Sequence, residues 1–201
     1  LANLPSAWGI EWNPGKVVAD RKYAQRVRAR SEGGLATIEY VAWLMLSKDA
    51  ILHNDPAFGV LQTVVMLSAG SLQKTEGSTL EMTPLIESSA DSMIIDGSKL
   101  GSFADPAALL REFKPDTQRH AIAARFAGQV KGAYPTDVAP APASIVVIAD
   151  ADLLRNEAWI QEDRVGALSL GWRTFADNGS LLVNAVEQLC GKNALLSLKS
   201  R

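Results

Sequence analysis

Side chains with strong intrinsic reactivity are scarce in this sequence. Its 201 residues include one cysteine, Cys190, and two histidines, His53 and His120. A single cysteine excludes an internal disulfide, and the sequence has no Cys/His cluster with the spacing of a zinc site. Cys190 ends an apolar helical pattern over residues 181–189, which predicts a small buried side chain and not an activated thiolate.

The motifs of nucleotide-binding and serine-dependent enzymes are also absent. The sequence contains no Gly-x-Gly-x-x-Gly loop, no Gly-x-x-x-x-Gly-Lys-Ser/Thr loop and no Gly-x-Ser-x-Gly turn. His53 occupies a polar loop, where a surface or capping role is expected, and His120 lies on a predicted strand in a structural role. The sequence therefore predicts a protein that is not an enzyme and that needs no cofactor or metal.

Charge and hydropathy exclude two further classes of protein. The net charge is −2, and no basic block is present that would neutralise a phosphate backbone, so nucleic acid is not expected as a partner. No run approaches the roughly 18 apolar residues of a membrane helix, and the start does not have the pattern of a signal peptide. Because the chain begins at Leu1 and not at Met, we expect an excised part of a longer polypeptide whose anchor or signal lies elsewhere.

The composition is that of a folded globular protein. Hydrophobic residues make up 47% of the chain and charged residues 21%. The length suits one large domain or two small ones. Apolar runs rich in β-branched residues predict strands, and the N-terminal part, residues 1–134, is dense in them. Strands are expected at residues 16–20, 63–69, 92–96 and 119–134, and residues 38–46 form either a strand or a short buried helix.

Prolines mark three more elements. Asp55 and Pro56 predict the cap and first residue of a short helix ending near residue 61, and Asp105 and Pro106 predict the start of a second helix. Pro84 interrupts an apolar run and predicts an edge strand or a bulge. Residues 135–143, which are rich in proline and alanine, form a predicted linker, and residues 144–201 form a strand–helix unit that we expect to pack into the same domain.

The C-terminal unit opens on an acidic strand end. Residues 144–149 predict a strand buried on both faces, which is typical of parallel sheets. Asp150 and Asp152 follow directly, at the edge where such sheets hold their ligands, and Asp177 and Asn178 begin the next predicted helix. These four residues are the candidate ligand-binding residues.

Two interpretations of Asp150 and Asp152 stay open. Alternate residues of an extended segment face the same side, so both carboxylates could reach one cation or ligand. Alternatively, Asp152 caps a helix that begins at residue 153, while Asp150 faces solvent. The lack of further ligands favours capping, and no metal site is predicted.

A basic segment stands near the N-terminus. Residues 21–30 include five arginines or lysines. One interpretation is a face that binds anions, including lipid headgroups at a membrane. The other, which the sequence favours, is a solvated strand edge whose charges keep foreign strands from pairing with it.

Four segments together carry a resemblance to a known family. They are WGIEWNPGKVVAD at residues 8–20, MTPLIESS at 82–89, IADADLL at 148–154 and DNGSLLVNA at 177–185. In their order and spacing they resemble the auxiliary components of ABC-type transport systems, which are related to gliding-motility auxiliary proteins of bacteria. The similarity covers nearly the whole chain.

The resemblance implies a fold, a location and partners. The implied fold is an α/β domain, flavodoxin-like or glutamine-amidotransferase-like without the nucleophile, and this chain would begin after its first strands. Together with the apolar run at 144–149, this predicts a mixed, largely parallel sheet flanked by helices. The implied location is the periplasmic, extracytoplasmic face of the bacterial inner membrane, with membrane anchors outside this chain. The implied partners are a permease subunit and an ATPase subunit.

Two functional hypotheses result. The first is a non-catalytic domain of a membrane-anchored accessory subunit that binds partner proteins or a ligand. The alternative is a sugar- or peptide-binding or hydrolytic domain that uses the crevice at Asp150 and Asp152. Exposed strand edges of a truncated domain also predict a homo-oligomer of the isolated chain.

Overall fold

Antiparallel strands dominate the architecture. The computed structural model describes residues 4–31, 34–101, 104–132 and 139–191. In chain order its elements are α1 (Leu4–Ala7), β1 (Ile10–Trp12), β2 (Lys16–Asp20), β3 (Ala24–Ser31), β4 (Gly34–Ser47), β5 (Thr63–Leu67), β6 (Leu72–Lys74), β7 (Glu81–Glu87), β8 (Ser92–Asp96), α2 (Pro106–Glu112), β9 (Ala121–Val130), β10 (Ala141–Ile148), α3 (Asn156–Trp159), β11 (Ile160–Val165), β12 (Leu168–Thr174) and α4 (Asn178–Leu189).

These strands form five small sheets. Two sheets have three strands, in the orders β3–β4–β5 and β10–β9–β7, and three are pairs, β1–β6, β2–β8 and β11–β12. Every pairing among the described strands is antiparallel.

The prediction of a largely parallel α/β sheet, flavodoxin-like or amidotransferase-like, is therefore wrong. The apolar run that suggested it forms most of β10, which pairs antiparallel with β9. Its alternate residues pack on two different clusters, Val146 and Ile148 on one and Ile145 and Val147 on the other. β10 is thus apolar on both faces because a separate core lies on each side of its antiparallel sheet. The sequence pattern of such a strand is the same as that of a strand buried in a parallel sheet.

The largest core joins β4 and β5 to β7, β9 and α4. Leu44 and Leu46 of β4, Met66 of β5 and Ile122 of β9 lie in it, together with Leu181 of α4. Each of these five side chains is fully buried. The shared core holds α4 close to β5, which places the start of the helix near that strand.

Local sequence signals predicted several elements correctly. The strands expected at 16–20, 63–69 and 92–96 are β2, β5 and β8. Asp105 caps α2, since its carboxylate accepts a hydrogen bond from the Ala107 N–H at 2.9 Å, and Pro106 is the first helical residue. Pro84 lies on an edge strand, β7, next to an irregularity in its register with β9. Residues 38–46 belong to the long strand β4.

Other local predictions are wrong. The residues after Asp55 form turns and not a helix, although the Asp55 carboxylate does accept from the Ala57 and Phe58 N–H groups, at 2.9 and 3.1 Å. The helix expected from residue 153 begins instead at Asn156. Cys190 is exposed and not buried.

The boundary region between the two predicted parts is described only in part. Residues 133–138, which include the end of the strand predicted at 119–134 and the start of the predicted linker, lie outside the described residues. The strand itself is β9 (Ala121–Val130), and the last residues of the predicted linker begin β10 at Ala141.

Candidate functional site

Three of the four candidate ligand-binding residues lie along one edge of β5. In the sheet β3–β4–β5, β5 is a terminal strand, so one of its edges has no strand partner. The backbone groups of alternate residues in a strand point to the same edge. Along β5 those residues are Thr63, Val65 and Leu67, and each receives a side chain from the C-terminal part of the chain.

Asn178 binds the centre of this edge. Its Oδ1 accepts a hydrogen bond from the Val65 N–H at 2.9 Å, and its Nδ2 donates to the Val65 carbonyl oxygen at 2.7 Å. The same Nδ2 donates to the Leu153 carbonyl oxygen, also at 2.7 Å. The side chain is fully buried. Its carboxamide therefore makes the two hydrogen bonds that a neighbouring strand would make to Val65.

Asp177 binds the beginning of the same strand. Its Oδ2 accepts from the Gln62 N–H at 2.7 Å and from the Thr63 N–H at 3.1 Å. Its own N–H donates to the Thr63 carbonyl oxygen at 2.7 Å. Asp177 occupies the position before α4, as the sequence predicts, but its side chain makes no capping hydrogen bond to the helix.

Asp150 binds the end of the strand. Its Oδ2 accepts from the Leu67 N–H at 2.6 Å, and its Oδ1 accepts from the Asp152 N–H at 2.8 Å. The residue is only 6% exposed, so the prediction that it faces solvent is wrong. Burial raises the pKa of this carboxyl from 3.8 to about 6, the two N–H donors lower it in part, and the charge of Asp152 raises it.

Asp152 is not brought to β5 with the others. It precedes a turn and not a helix, so the expected capping role is wrong as well. Its carboxylate is about half exposed and lies 4.0 Å from Arg155 Nη1. Asp150 and Asp152 are thus neighbours in one turn, but one carboxylate points into the protein and binds backbone, and the other meets solvent.

This arrangement covers a strand edge with side chains. Uncovered edges of sheets invite pairing with other strands, and side chains that bind the edge groups prevent it. Asp150, Asp177 and Asn178 use their polar atoms for this purpose. Among the described residues, no three His, Cys, Asp or Glu side chains are placed to hold a metal ion.

The two histidines have other surroundings. His120 is buried, and its Nε2 is 2.9 Å from Asp116 Oδ2, within the loop before β9. His53 lines a concavity of about 290 Å³ beside Glu87 and Arg119. Arg119 Nη2 is 3.6 Å from Glu87 Oε2, and its Nε donates to the Ser88 carbonyl oxygen, so the guanidinium already has two partners.

Sequence reasoning missed an exposed apolar surface on the hairpin β11–β12. Val165, Leu168, Leu170 and Trp172 are each between 63% and 66% exposed. We call these four residues the hairpin apolar residues. Leu170 has no partner in the register of the pair, and this bulge places Trp172 on one side of the hairpin and Val165 and Leu168 on the other. The missed signal was the alternation of Leu168, Leu170 and Trp172 after a two-residue turn at Gly166, whose φ of +59° favours glycine.

Polar contacts link the two strands of the hairpin. Arg173 donates to Asp163 at 2.8 Å and to Gln161 at 3.2 Å, across the two strands. In the register of the pair, Gln161 lies opposite Arg173 and Asp163 lies opposite Gly171. The hairpin therefore exposes apolar side chains on both of its sides, beside these polar contacts.

Sequence reasoning also missed a groove beside β3. It has a volume of about 880 Å³, and its lining residues include Val27, Arg28, Ala29, Tyr40, Trp43 and Leu100. The Tyr40 and Trp43 rings are tilted by 54°, with their centroids 5.4 Å apart. Tyr40 is buried and Trp43 is 37% exposed, so the tryptophan provides the accessible aromatic surface. We call this concavity the β3 groove.

Comparison with known proteins identifies the family. A family model described as an ABC-type uncharacterized transport system, for auxiliary components, matches residues 1–185. The chain belongs to this family. The resemblance drawn from the four sequence segments is thereby confirmed, and this auxiliary domain is a component of an ABC-type transport system. No curated protein and no solved structure matches it.

Two of the four family-like segments meet in the structure of the auxiliary domain. Asp150 and Asp152 come from the segment at 148–154, and Asp177 and Asn178 come from the segment at 177–185. They converge on β5 through Asp150, Asp177 and Asn178. No helix in the described part of the chain is long and apolar enough to cross a membrane.

Proposed function

We propose that this auxiliary domain is a non-catalytic binding module that attaches an accessory subunit to the permease of its transport system. Family membership supports a role in such a system. The observation that carries the binding role is the exposure of the hairpin apolar residues, since Val165, Leu168, Leu170 and Trp172 are each at least 63% exposed.

An apolar surface of this kind is costly in water and favourable in a complex. Burial of apolar surface contributes about 25 cal/mol per Å². Tryptophan at the centre of an interface often accounts for a large share of the binding free energy. Arg173, bound to Asp163 and Gln161, links the two strands that present these residues.

We further propose that the domain works on the extracytoplasmic side, with the ATPase joining the complex through the permease. The gliding-motility-like character of the system is part of the same proposal. Support for the location comes from the likeness of the four segments to extracytoplasmic auxiliary proteins. Cys190 offers a direct test, because it is an exposed free thiol. A membrane-impermeant maleimide should label it in intact spheroplasts, and Cys190→Ser should abolish that signal.

The binding role is tested by co-purification. The full polypeptide is tagged and isolated in mild detergent after co-expression with the permease and ATPase of its transport system. We expect the double substitution L170S/W172S to remove both partners. The matched control, Q161A/S169A, changes the hairpin on residues that are exposed but not apolar. Equal recovery of the permease with both double variants contradicts the proposal.

A sugar- or peptide-binding role at Asp150 and Asp152 remains a second candidate. It is favoured by one observation, the exposed carboxylate of Asp152. Thermal-shift measurements with divalent metals and sugars test it. A ligand that raises the melting temperature of the native chain, but not of Asp152→Asn, supports this role. Absence of any shift across the panel removes it.

A further inference from the structure

The two outer edges of the sheet β3–β4–β5 differ. The β5 edge is covered by Asp150, Asp177 and Asn178. The opposite edge belongs to β3, which pairs with β4 on one side and with no strand on the other among the described residues. In this part of the chain, no turn, cap or side-chain hydrogen bond reaches the backbone of residues 25–29. One edge of the sheet is therefore protected, and the other is open.

The open edge lies beside the β3 groove. The consecutive residues Val27, Arg28 and Ala29 form one wall of it, and Trp43 lies in the same concavity. Leu100 and one acidic residue, Asp105, also line it. A segment placed along β3 would thus have backbone groups on one side and an exposed aromatic ring within reach of its side chains.

Basic side chains lie beside this edge. Of the basic residues that begin the segment 21–30, Arg21 binds Asp91 at 2.9 Å and Lys22 binds Asp49 at 3.1 Å. Arg26 is 3.9 Å from Glu39 and is largely exposed. Arg28 is also exposed, and among the described residues no carboxylate lies within 4.0 Å of it. The Arg28 guanidinium, which has no carboxylate partner among the described residues, therefore lines the groove.

We infer that the open edge of β3 accepts an extended acidic segment of a partner protein as an additional strand. Main-chain hydrogen bonds to β3 would provide the affinity. A carboxylate of the segment would pair with Arg28, and an apolar or aromatic side chain would pack on Trp43. The basic segment 21–30 then has a role beyond a solvated strand edge.

This inference names the chemistry of a partner segment and concerns a surface distinct from the hairpin apolar residues. It rests on the proposed binding role only in supposing a protein partner. The two surfaces are separable by mutation, since one depends on Arg28 and Trp43 and the other on Leu170 and Trp172. An L170S/W172S variant that loses the permease but still binds an acidic peptide separates failure at one surface from failure at the other.

The experiment uses a synthetic peptide of about eight residues in which glutamate alternates with valine and tryptophan, a pattern suited to a strand. Its binding to the 201-residue chain is measured by fluorescence anisotropy at low salt. A second peptide carries N-methyl groups on alternate amides, and a third replaces each glutamate with lysine. We expect saturable binding of the first peptide and none of the N-methylated one, because methylation removes the strand hydrogen bonds.

Two substitutions test the assigned side chains. Arg28→Glu should lower the affinity for the acidic peptide by about tenfold and raise the affinity for the lysine peptide, a reversal expected from charge pairing. Trp43→Ser should lower the affinity for both peptides. Arg164→Glu, on the hairpin, is the matched charge control and should change neither affinity. Circular dichroism of each variant shows that it is folded, and hydrogen exchange should slow at residues 25–29 in the native complex.

Three outcomes overturn the inference. The first is no saturable binding of the acidic peptide up to about 1 mM, the weakest affinity worth considering. The second is equal binding of the N-methylated peptide, or no effect of Arg28→Glu. The third is that β3 has another occupant. The native chain then binds vesicles of phosphatidylglycerol and phosphatidylcholine, or it dimerises through β3, and the acidic peptide displaces neither the vesicles nor the second copy of the chain.

Discussion

The Asn178 carboxamide takes the place of a strand beside Val65. It accepts from the Val65 N–H at 2.9 Å and donates to the Val65 carbonyl oxygen at 2.7 Å, as the backbone of a paired residue would. Asp177 and Asp150 continue the same edge in both directions. The start of α4 and the end of β10 are thereby attached to β5, although neither is a strand of that sheet.

Asn178→Ala should be strongly destabilising. The substitution leaves three backbone groups without a partner, the N–H and carbonyl of Val65 and the carbonyl of Leu153. Each buried group left unsatisfied costs about 1–3 kcal/mol, and partial relaxation reduces the sum. We expect the free energy of unfolding, measured by urea denaturation, to fall by about 3 kcal/mol.

Asn54→Ala is the matched control for this loss. Asn54 is exposed and makes no side-chain hydrogen bond in the described part of the chain, so its removal should cost less than about 0.5 kcal/mol. If both asparagine variants unfold at the same urea concentration as the native chain, the strand-like role of Asn178 is wrong.

Signals confined to a few residues were sufficient to predict part of this fold. Asp105 and Pro106 start α2 because a carboxylate and a proline suit the first helical turn whatever surrounds them. Pro84 lies on an edge strand because proline has no N–H to give to a second neighbour. The choice of strand partner is different, since it depends on residues far apart in the chain. The pairing of β10 with β9 in an antiparallel sense therefore could not be predicted from residues 144–149.

The sequence indicated which residues come together at the candidate site, but not what their side chains bind. Asp150, Asp177 and Asn178 do meet in space, although the sequence places them in two separate segments. Their target, the edge of β5, is about 85 to 115 residues away, and no local pattern points to it. Arg28 and Trp43 were missed for the same reason, since they line one groove only because β3 and β4 pair.

Arg125 is expected to be essential for the attachment of the C-terminal end of α4. Its Nη2 lies 2.7 Å from Asp55 Oδ2, and the Asp55 side chain is only 3% exposed. Gln188 of α4 hydrogen-bonds to both residues. Arg125→Met would leave a buried carboxylate without its cation, which typically costs about 3–5 kcal/mol. The melting temperature and the free energy of unfolding should both fall.

An exposed ion pair provides the comparison for Arg125. Arg173 and Asp163 are 2.8 Å apart, but their side chains are 54% and 43% exposed. Because solvent screens such pairs, Arg173→Met should cost less than about 1 kcal/mol. Losses of equal size in the two methionine variants would contradict a structural role for the buried pair.

Gly59 should not tolerate a side chain. A Cβ at this position would overlap the His53 carbonyl oxygen and lie 2.8 Å from the Asp55 carbonyl oxygen, both of which are backbone atoms. The Gly59 N–H also donates to the Asp55 carbonyl oxygen at 2.7 Å, so the turn cannot open without losing a hydrogen bond. Gly59→Ala should therefore destabilise the chain by at least about 2 kcal/mol.

Gly101→Ala is the control for Gly59. Its φ is −65°, which any residue adopts, and the nearest atom to a Cβ there is the Ser98 carbonyl oxygen at 3.9 Å. This substitution should leave the thermal midpoint unchanged or raise it slightly, because alanine reduces the freedom of the unfolded chain. Similar melting temperatures for the two alanine variants would show that the turn at Gly59 is not tightly constrained.

Asp150 should make the protein less stable as the pH rises. Its pKa is raised from 3.8 to about 6 in the folded chain, so between these values the folded state binds more protons than the unfolded state. Under linkage, the free energy of unfolding then falls as the pH increases through this range, by about 3 kcal/mol for a shift of this size. Below the lower value both states are protonated, and the penalty is absent.

Comparison with Asp150→Asn isolates this contribution from that of the other carboxyl groups. The amide does not titrate, so the difference in free energy of unfolding between the native chain and the variant should decrease as the pH rises from 3.8 to about 6. Like the protonated carboxyl group, asparagine keeps one full acceptor oxygen for the Leu67 and Asp152 N–H groups, so the variant and the native chain should be closest in stability at the acidic end. Urea denaturation at several pH values measures both curves. A constant difference between them across this range would show that the Asp150 carboxyl titrates alike in the folded and unfolded chains.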